Sequence, residues 1–181
     1  FDPLSSPKRE TRAVWLTTFS SLDRPKNKAT SPAGIKAQQD ELCRILDRLK
    51  EVNINTVLLQ TRVRGSVIYP SAIEPWDGCL TGTPGRAPGY DPLAFAVREC
   101  HKRGMELHAW LVAIPCFKIS AATRMGNRSV LKTHPKLCVR HGDSWYLDPG
   151  QPETADYLAS LCREIAANYD VDGIHFDYIR Y

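Results

Sequence analysis

Two side chains in the last ten residues, His175 and Asp177 of Asp172-Gly-Ile-His-Phe-Asp-Tyr-Ile-Arg-Tyr181, alternate along what reads as a β-strand. They therefore point the same way. A carboxylate beside an imidazole at a strand end is equipped for general acid–base work or for nucleophilic attack. Three other strand-like runs carry polar or aromatic residues at matching alternate positions: Trp15 and Thr17 in Arg12 to Thr18, Gln60 and Arg62 in Thr56 to Val63, and His108 and Trp110 in Glu106 to Val112. Gathered on one axis, so many polar groups would be costly in a purely structural core, because each buried one must be paired. A polar site is the more economical reading. Taken singly, a barrel histidine is a satisfied core residue, Arg62 a counter-ion and Trp110 a space filler. Asp177 is the exception: a carboxylate at a strand end, with Arg62, His175 and Arg180 expected nearby, has few structural duties.

The segments between these runs add rings: Tyr69, Trp76 and Tyr90 after the second strand, then Phe117, Trp145 and Tyr146 after the third. Aromatic faces beside Asp, Arg and Gln suit sugar rings, which present apolar C–H faces and hydroxyl edges. Packing onto a rim accounts equally well for any one of them. Glycoside hydrolysis needs two carboxyl groups, about 5–5.5 Å apart for retention or about 6.5–9.5 Å for inversion. Asp177 is one; Glu74, Asp77, Asp143 and Asp148 are loop candidates for the other, and a strand beyond residue 181 is the better source. A metal-dependent hydrolase using His108, His175 and Asp177 is a weaker reading, since there is no His-x-His and no tight carboxylate cluster. No metal or cofactor is expected.

The elements that must position these residues alternate. Helical periodicity marks about Ile35 to Val52, started by Ser31-Pro32, then Pro92 to Arg103 capped by Asp91, then Pro152 to Tyr169. With Gly173 to Tyr178 as the fourth strand, strand and helix follow one another, which implies parallel strands joined by crossovers. Helix-to-strand connections are short. Strand-to-helix connections are long, about 16, about 28 and about 39 residues, and such loops are uncommon in compact domains unless functional. All leave the C-terminal ends of the strands, where a (β/α)8 barrel builds its site. A dinucleotide fold is disfavoured, since no Gly-x-Gly-x-x-Gly follows the first strand. The expectation is an α/β domain over 1–181, the N-terminal half of a (β/α)8 TIM-type barrel with four strands and three helices, inactive or weakly active alone. Its exposed strand edges would invite homo-oligomer pairing.

Composition excludes several classes. The chain is 43% hydrophobic and 24% charged, ordinary for a globular protein. A net charge of +4, with basic runs only at Lys8-Arg9, Arg24 to Lys28 and Lys132 to Arg140, reads as solvated loops rather than a nucleic-acid surface. No stretch is apolar enough to span a membrane. The start at Phe1 suits a mature form whose export signal has been removed. Of the six cysteines, Cys43, Cys100 and Cys162 fall in helices and Cys79, Cys116 and Cys138 in loops without metal spacing, so free thiols are favoured over a loop–loop bridge.

Several segments carry a family resemblance. They are Arg12-Ala-Val-Trp-Leu-Thr-Thr, Asn55-Thr-Val-Leu-Leu-Gln-Thr-Arg62, Tyr69-Pro-Ser with Glu74-Pro-Trp-Asp and Leu80-Thr-Gly, Pro88-Gly-Tyr-Asp-Pro-Leu93, His101-Lys-Arg-Gly-Met-Glu-Leu-His-Ala-Trp110, Leu147-Asp-Pro-Gly150 and Tyr169 to Tyr181. In order and spacing the chain resembles the bacterial glycosyl-hydrolase-like family ten over nearly its whole length. The resemblance implies a (β/α)8 catalytic barrel in an exported, periplasmic or cell-surface protein, or in a lipid-anchored one. It also implies hydrolysis of a polysaccharide, with peptidoglycan strands lacking peptides as one substrate. Asp177 carries over as the catalytic carboxylate, with Gln60, Arg62, His108, Trp110 and His175 lining the sugar site; Trp15, Tyr69, Trp76 and Arg180 are further substrate-binding candidates. Where many relatives have an Asn-Pro-Tyr-Arg-like turn, this chain has Ala113-Ile-Pro-Cys-Phe-Lys118, and Lys118 is the available cation. The alternative is a non-catalytic carbohydrate-binding module on the same half barrel.

Overall fold

A computed structural model describes residues 10–180; Lys8-Arg9 and Tyr181 lie outside the described residues. In chain order the elements are β1 (Ala13–Leu16), α1 (Pro32–Glu51), β2 (Thr56–Arg62), α2 (Gly78–Thr81), α3 (Pro92–Lys102), β3 (Glu106–Val112), β4 (Pro115–Lys118), α4 (Val130–Thr133), β5 (Cys138–His141), β6 (Ser144–Leu147), α5 (Pro152–Asn168) and β7 (Gly173–Asp177), with short 3-10 turns between some of them. α1 and α3 start where side chains can satisfy their free amides. Ser31 accepts from the Gly34 N–H at 3.1 Å, and Asp91 accepts from Leu93 and Ala94, both at 3.0 Å. Proline follows each cap, where its missing N–H costs nothing.

β1, β2, β3 and β7 form one parallel sheet in the order β1-β2-β3-β7, as the strand–helix alternation requires. One face meets the helices. Leu16, Val57, Leu59, Leu107, Ala109 and Leu111 pack there with Leu42 and Leu46 of α1, Leu93 of α3 and Leu161 and Ile165 of α5. Full burial of each such Leu or Ile contributes about 1.5–3 kcal/mol. On the opposite face Leu58, Trp110 and Val112 form a separate small cluster. The edge strands β1 and β7 leave Trp15 50% exposed on this second face and Phe176 40% exposed on the other. No helix among the described residues is long and apolar enough to cross a membrane. The six cysteines are free thiols; burial pushes the Cys100 and Cys116 thiols up to about 12.

Three features differ from the sequence reading. β1 and β7 are shorter than expected: Thr17 and Thr18 are drawn out of the strand by Gln60, and Tyr178 turns away at φ +53°. The longest connection is not a loop. It holds an antiparallel sheet of order β4-β6-β5, whose hairpin turns at Gly142 with φ +57°. Third, the β2–β3 register slips between Gln60 and Arg62, so that Gln60 faces Trp110 but Arg62 faces Leu111. One inserted residue reverses the side-chain alternation. Arg62, expected inward, therefore points to the helical side.

Candidate active site

Register aligns the inner wall in levels. Trp15, Leu58, His108 and Gly173 lie side by side; above them come Gln60, Trp110 and His175, then Val112 and Asp177 at the C-terminal rim. Trp15 and Trp110 meet edge to face at 4.9 Å, and Trp15 lies 6.0 Å from the His175 ring. Gly173 is required by this packing: a Cβ there would sit 2.6 Å from His108 Nδ1. The imidazole instead lies directly on the β7 backbone.

His108 Nδ1 is 2.7 Å from His175 Nε2, and His108 Nε2 is 3.0 Å from Glu106 Oε2. A carboxylate only accepts, so with both rings neutral His108 carries its proton on Nε2 and presents Nδ1 as an acceptor. His175 then donates from Nε2 and keeps Nδ1 as a free base; this tautomer is assigned from the network. Burial, and then the charge of His108, hold the His175 pKa below its usual value, favouring the neutral ring.

Asp177 completes the column. Its Oδ1 accepts from the Tyr178 N–H at 2.7 Å. Its backbone is clamped from the side, because Ala113 N–H donates to the Asp177 carbonyl at 2.8 Å and Ile114 N–H to the Tyr178 carbonyl at 3.2 Å. The Ile114 carbonyl in turn accepts from Leu147 of β6 at 2.9 Å. Beside this rim a cavity of about 250 Å³ opens between the strand ends, lined by Thr17, Gln60, Arg64, Trp110, Val112 and Tyr178 among others. The Trp110 indole N–H is buried with no acceptor among the described residues. Leaving such a donor unpaired costs about 1–3 kcal/mol.

The structure thus brings Trp15, Gln60, His108, Trp110, His175 and Asp177 to one wall. Gln60, however, is occupied: its Oε1 accepts from Thr17 Oγ1 at 2.7 Å, Thr18 N–H at 2.9 Å and Phe19 N–H at 2.7 Å. It shapes the loop after β1. Four other candidates are engaged otherwise. Arg62 is fully buried, donating to Glu74 Oε2 at 2.8 Å, to Glu74 Oε1 at 2.7 Å, and to the Val112 and Ala113 carbonyls. Burial works against its charge, but the Glu74 carboxylate outweighs that and raises its pKa above the ordinary value. Tyr69 is buried against α5, donating to Glu164 at 2.9 Å and meeting Tyr169 edge on at 5.7 Å. Trp76 is bridged to Val67 and lines a different cavity with Pro75 and Arg128. Arg180 stays beside the mouth, stacked over the cavity-lining Tyr178 at 5.2 Å.

The loop carboxylates are also spoken for. Glu74 holds Arg62 and accepts from Tyr157 at 2.8 Å; Asp77 caps α2; Asp143 pairs with Lys118 at 3.0 Å; Asp148 accepts from Gly150 ahead of α5. Two groups near the mouth lie outside the strand pattern. Arg64 lines the cavity, and its guanidinium stacks over Phe19 at 4.7 Å. Asp23 follows cavity-lining Leu22 and accepts from the Thr17 N–H at 2.8 Å. Neither belongs to a β-strand, so alternation could not find them.

A parallel sheet with helices on one face and polar residues at its C-terminal rim is the arrangement of a (β/α)8 barrel. The noncanonic maltogenic α-amylase AmyB of Thermotoga neapolitana superposes over 94% of this chain and 39% of its own, with a TM-score of 0.60 at 18% identity. The chain belongs to the glycosyl hydrolase-like 10 family, whose model matches residues 10–181. It is 38% identical over 182 residues to the glycosyl hydrolase DigH of Escherichia coli (strain K12), covering 92% of this chain and 41% of that protein. It is 35% identical over 173 residues to the glycosyl hydrolase YngK of Bacillus subtilis (strain 168), covering 93% of this chain and 33% of that protein. The chain therefore spans less than half the length of these curated relatives. Among the described residues no group of three or more His, Cys, Asp and Glu side chains is placed to hold a metal.

Proposed function

We propose that this chain supplies one wall of a glycoside hydrolase active site, with Asp177 as a catalytic carboxylate and Trp15, His108, Trp110 and His175 forming the surface a saccharide meets. The observation that carries the reading is the column Glu106–His108–His175–Asp177 along the inner wall, in a chain of a glycosyl-hydrolase-like family. In this scheme Asp177 stabilises the oxocarbenium-like transition state, or attacks as nucleophile, while His175 offers a neutral acceptor beside it. A substrate hydroxyl satisfies the Trp110 indole N–H. The Trp15 face takes an apolar sugar face.

The proposed substrate is a bacterial or environmental polysaccharide, with peptide-free peptidoglycan strands the leading one, met by an exported protein. The test is cleavage of such strands by the protein that carries this chain, read by mass spectrometry of the products. Asp177→Asn is expected to lower the rate by about a thousandfold or more, while glycan affinity stays within about threefold. Cleavage by Asp177→Asn at the parental rate would refute the assignment. Glycan binding without cleavage by the parent protein would favour a non-catalytic carbohydrate-binding module.

A further inference from the structure

We propose that Glu106, at the foot of β3, is a positioning residue for the reaction: through His108 it sets which nitrogen of His175 carries the proton, and so makes Nδ1 the basic nitrogen of the inner wall. This rests on the glycoside reading above and adds the device that holds its base ready. The rim at Val112 is six residues further along β3, about 20 Å away. Strand alternation puts Glu106, His108 and Trp110 on one face of β3, with His175 of β7 beside Trp110. His108 is the middle link. Both its nitrogens are within hydrogen-bond range of a partner, Nε2 of Glu106 at 3.0 Å and Nδ1 of His175 at 2.7 Å. Turning the ring over would put carbon at both places, so the two bonds fix its orientation.

An ionised carboxylate has no proton to give, whereas each neutral imidazole has one N–H to place. Glu106 therefore draws the His108 proton to Nε2 and leaves Nδ1 bare. That bare nitrogen draws the His175 proton to Nε2 in turn. His175 Nδ1 is then unprotonated, and it makes no hydrogen bond among the described residues. Reversing the first contact moves every proton in the row to the other nitrogen. Glu106 suits the task, since its carboxylate pairs with no other side chain among the described residues. Its backbone N–H is held by the Asn55 carbonyl at 2.8 Å. Asp172, a second acid at this end of the sheet, is engaged by His101 at 2.9 Å and by the Leu107 N–H at 2.8 Å. Its charge favours a proton on His108 but bonds to neither ring nitrogen there, so the choice between them falls to Glu106.

The experiment is two-bond proton–nitrogen correlation NMR of the protein that carries this chain, labelled at its histidine nitrogens, at about pH 8, above the ordinary histidine range. His175 and His108 are each expected to show a protonated Nε2 and a bare Nδ1. Glu106→Lys offers only donors, so both rings should exchange their two signals. Glu106→Gln keeps an acceptor oxygen and should keep the parental order. The Glu106 side chain is 59% exposed, so both variants are expected to fold. On peptide-free glycan strands Glu106→Lys should lower kcat about tenfold or more with KM within about twofold, because the basic nitrogen of His175 is then capped by a proton. A protonated Nδ1 on His175 in the parent, an unchanged order in Glu106→Lys, or exchanged signals with kcat unaltered would overturn the proposal. The expected nitrogen order in a parent protein that cleaves nothing would remove the glycoside reading while supporting Glu106 as the residue that sets the tautomer.

Discussion

Arg62→Met removes the cation from a buried network while keeping much of its apolar stem. The parent guanidinium donates to both Glu74 oxygens and to the Val112 and Ala113 carbonyls, at the meeting point of β2, the end of β3 and α5. Methionine strands the Glu74 carboxylate at 1% exposure with Tyr157 as its remaining side-chain donor. Breaking a buried pair in this way costs about 3–5 kcal/mol. For a protein of this size the melting temperature should fall by about 10 °C. Arg62→Met with Glu74→Gln removes the stranded charge and should recover part of the loss. Urea unfolding of the parent and both variants provides the measurement. A loss for Arg62→Met below about 1 kcal/mol, or no recovery in the double variant, would refute this account of Arg62.

Further outcomes concern the inner wall. Gln60→Ala leaves the Thr18 and Phe19 amides without their acceptor and should cost about 2 kcal/mol in urea unfolding, with faster hydrogen exchange confined to the loop after β1. By NMR titration, His175 should lose its proton below the usual 6.5, and His108→Ala should move that value upward by relieving burial and repulsion. Because folding depresses this pKa, the unfolded chain binds more protons, and the stability tied to His175 is complete above 6.5 and declines as pH falls. Gly173→Ala forces the His108 ring off β7 and should cost about 1–3 kcal/mol; an unchanged His175 titration in that variant would argue against the ring–ring contact.

Periodicity and caps made the parallel sheet and its three long helices legible, because period 2 and period 3.6 follow directly from strand and helix geometry. Ser31 and Asp91 cap the helices where their types suggested. Alternation likewise placed Trp15, His108, Trp110, His175 and Asp177 on one face, since β1, β3 and β7 pair without interruption there. Arg62 failed because a bulge leaves no mark in the alternation of residue types. The β5–β6 hairpin did have a signal: Arg140-His-Gly-Asp-Ser144 sits between two short β-prone runs, with glycine at the turn. The position of Tyr69 suits a ring for sugar, but its hydroxyl is claimed by Glu164, distant in the chain and invisible to local pattern. Arg64 leaves no local mark for a similar reason, as its stacking partner Phe19 lies on another loop.

The side sheet of β4, β6 and β5 has a bearing on precision. A carboxylate at the last position of an edge strand would ordinarily wander with the fraying of that strand. Here the frame amides of Ala113 and Ile114 grip residues 177 and 178, and β6 grips Ile114 from behind. The stiffness available to Asp177 is thus borrowed from a segment that shares no strand with it, and shortening that segment would blur the aim of the acid without touching a single atom of its side chain.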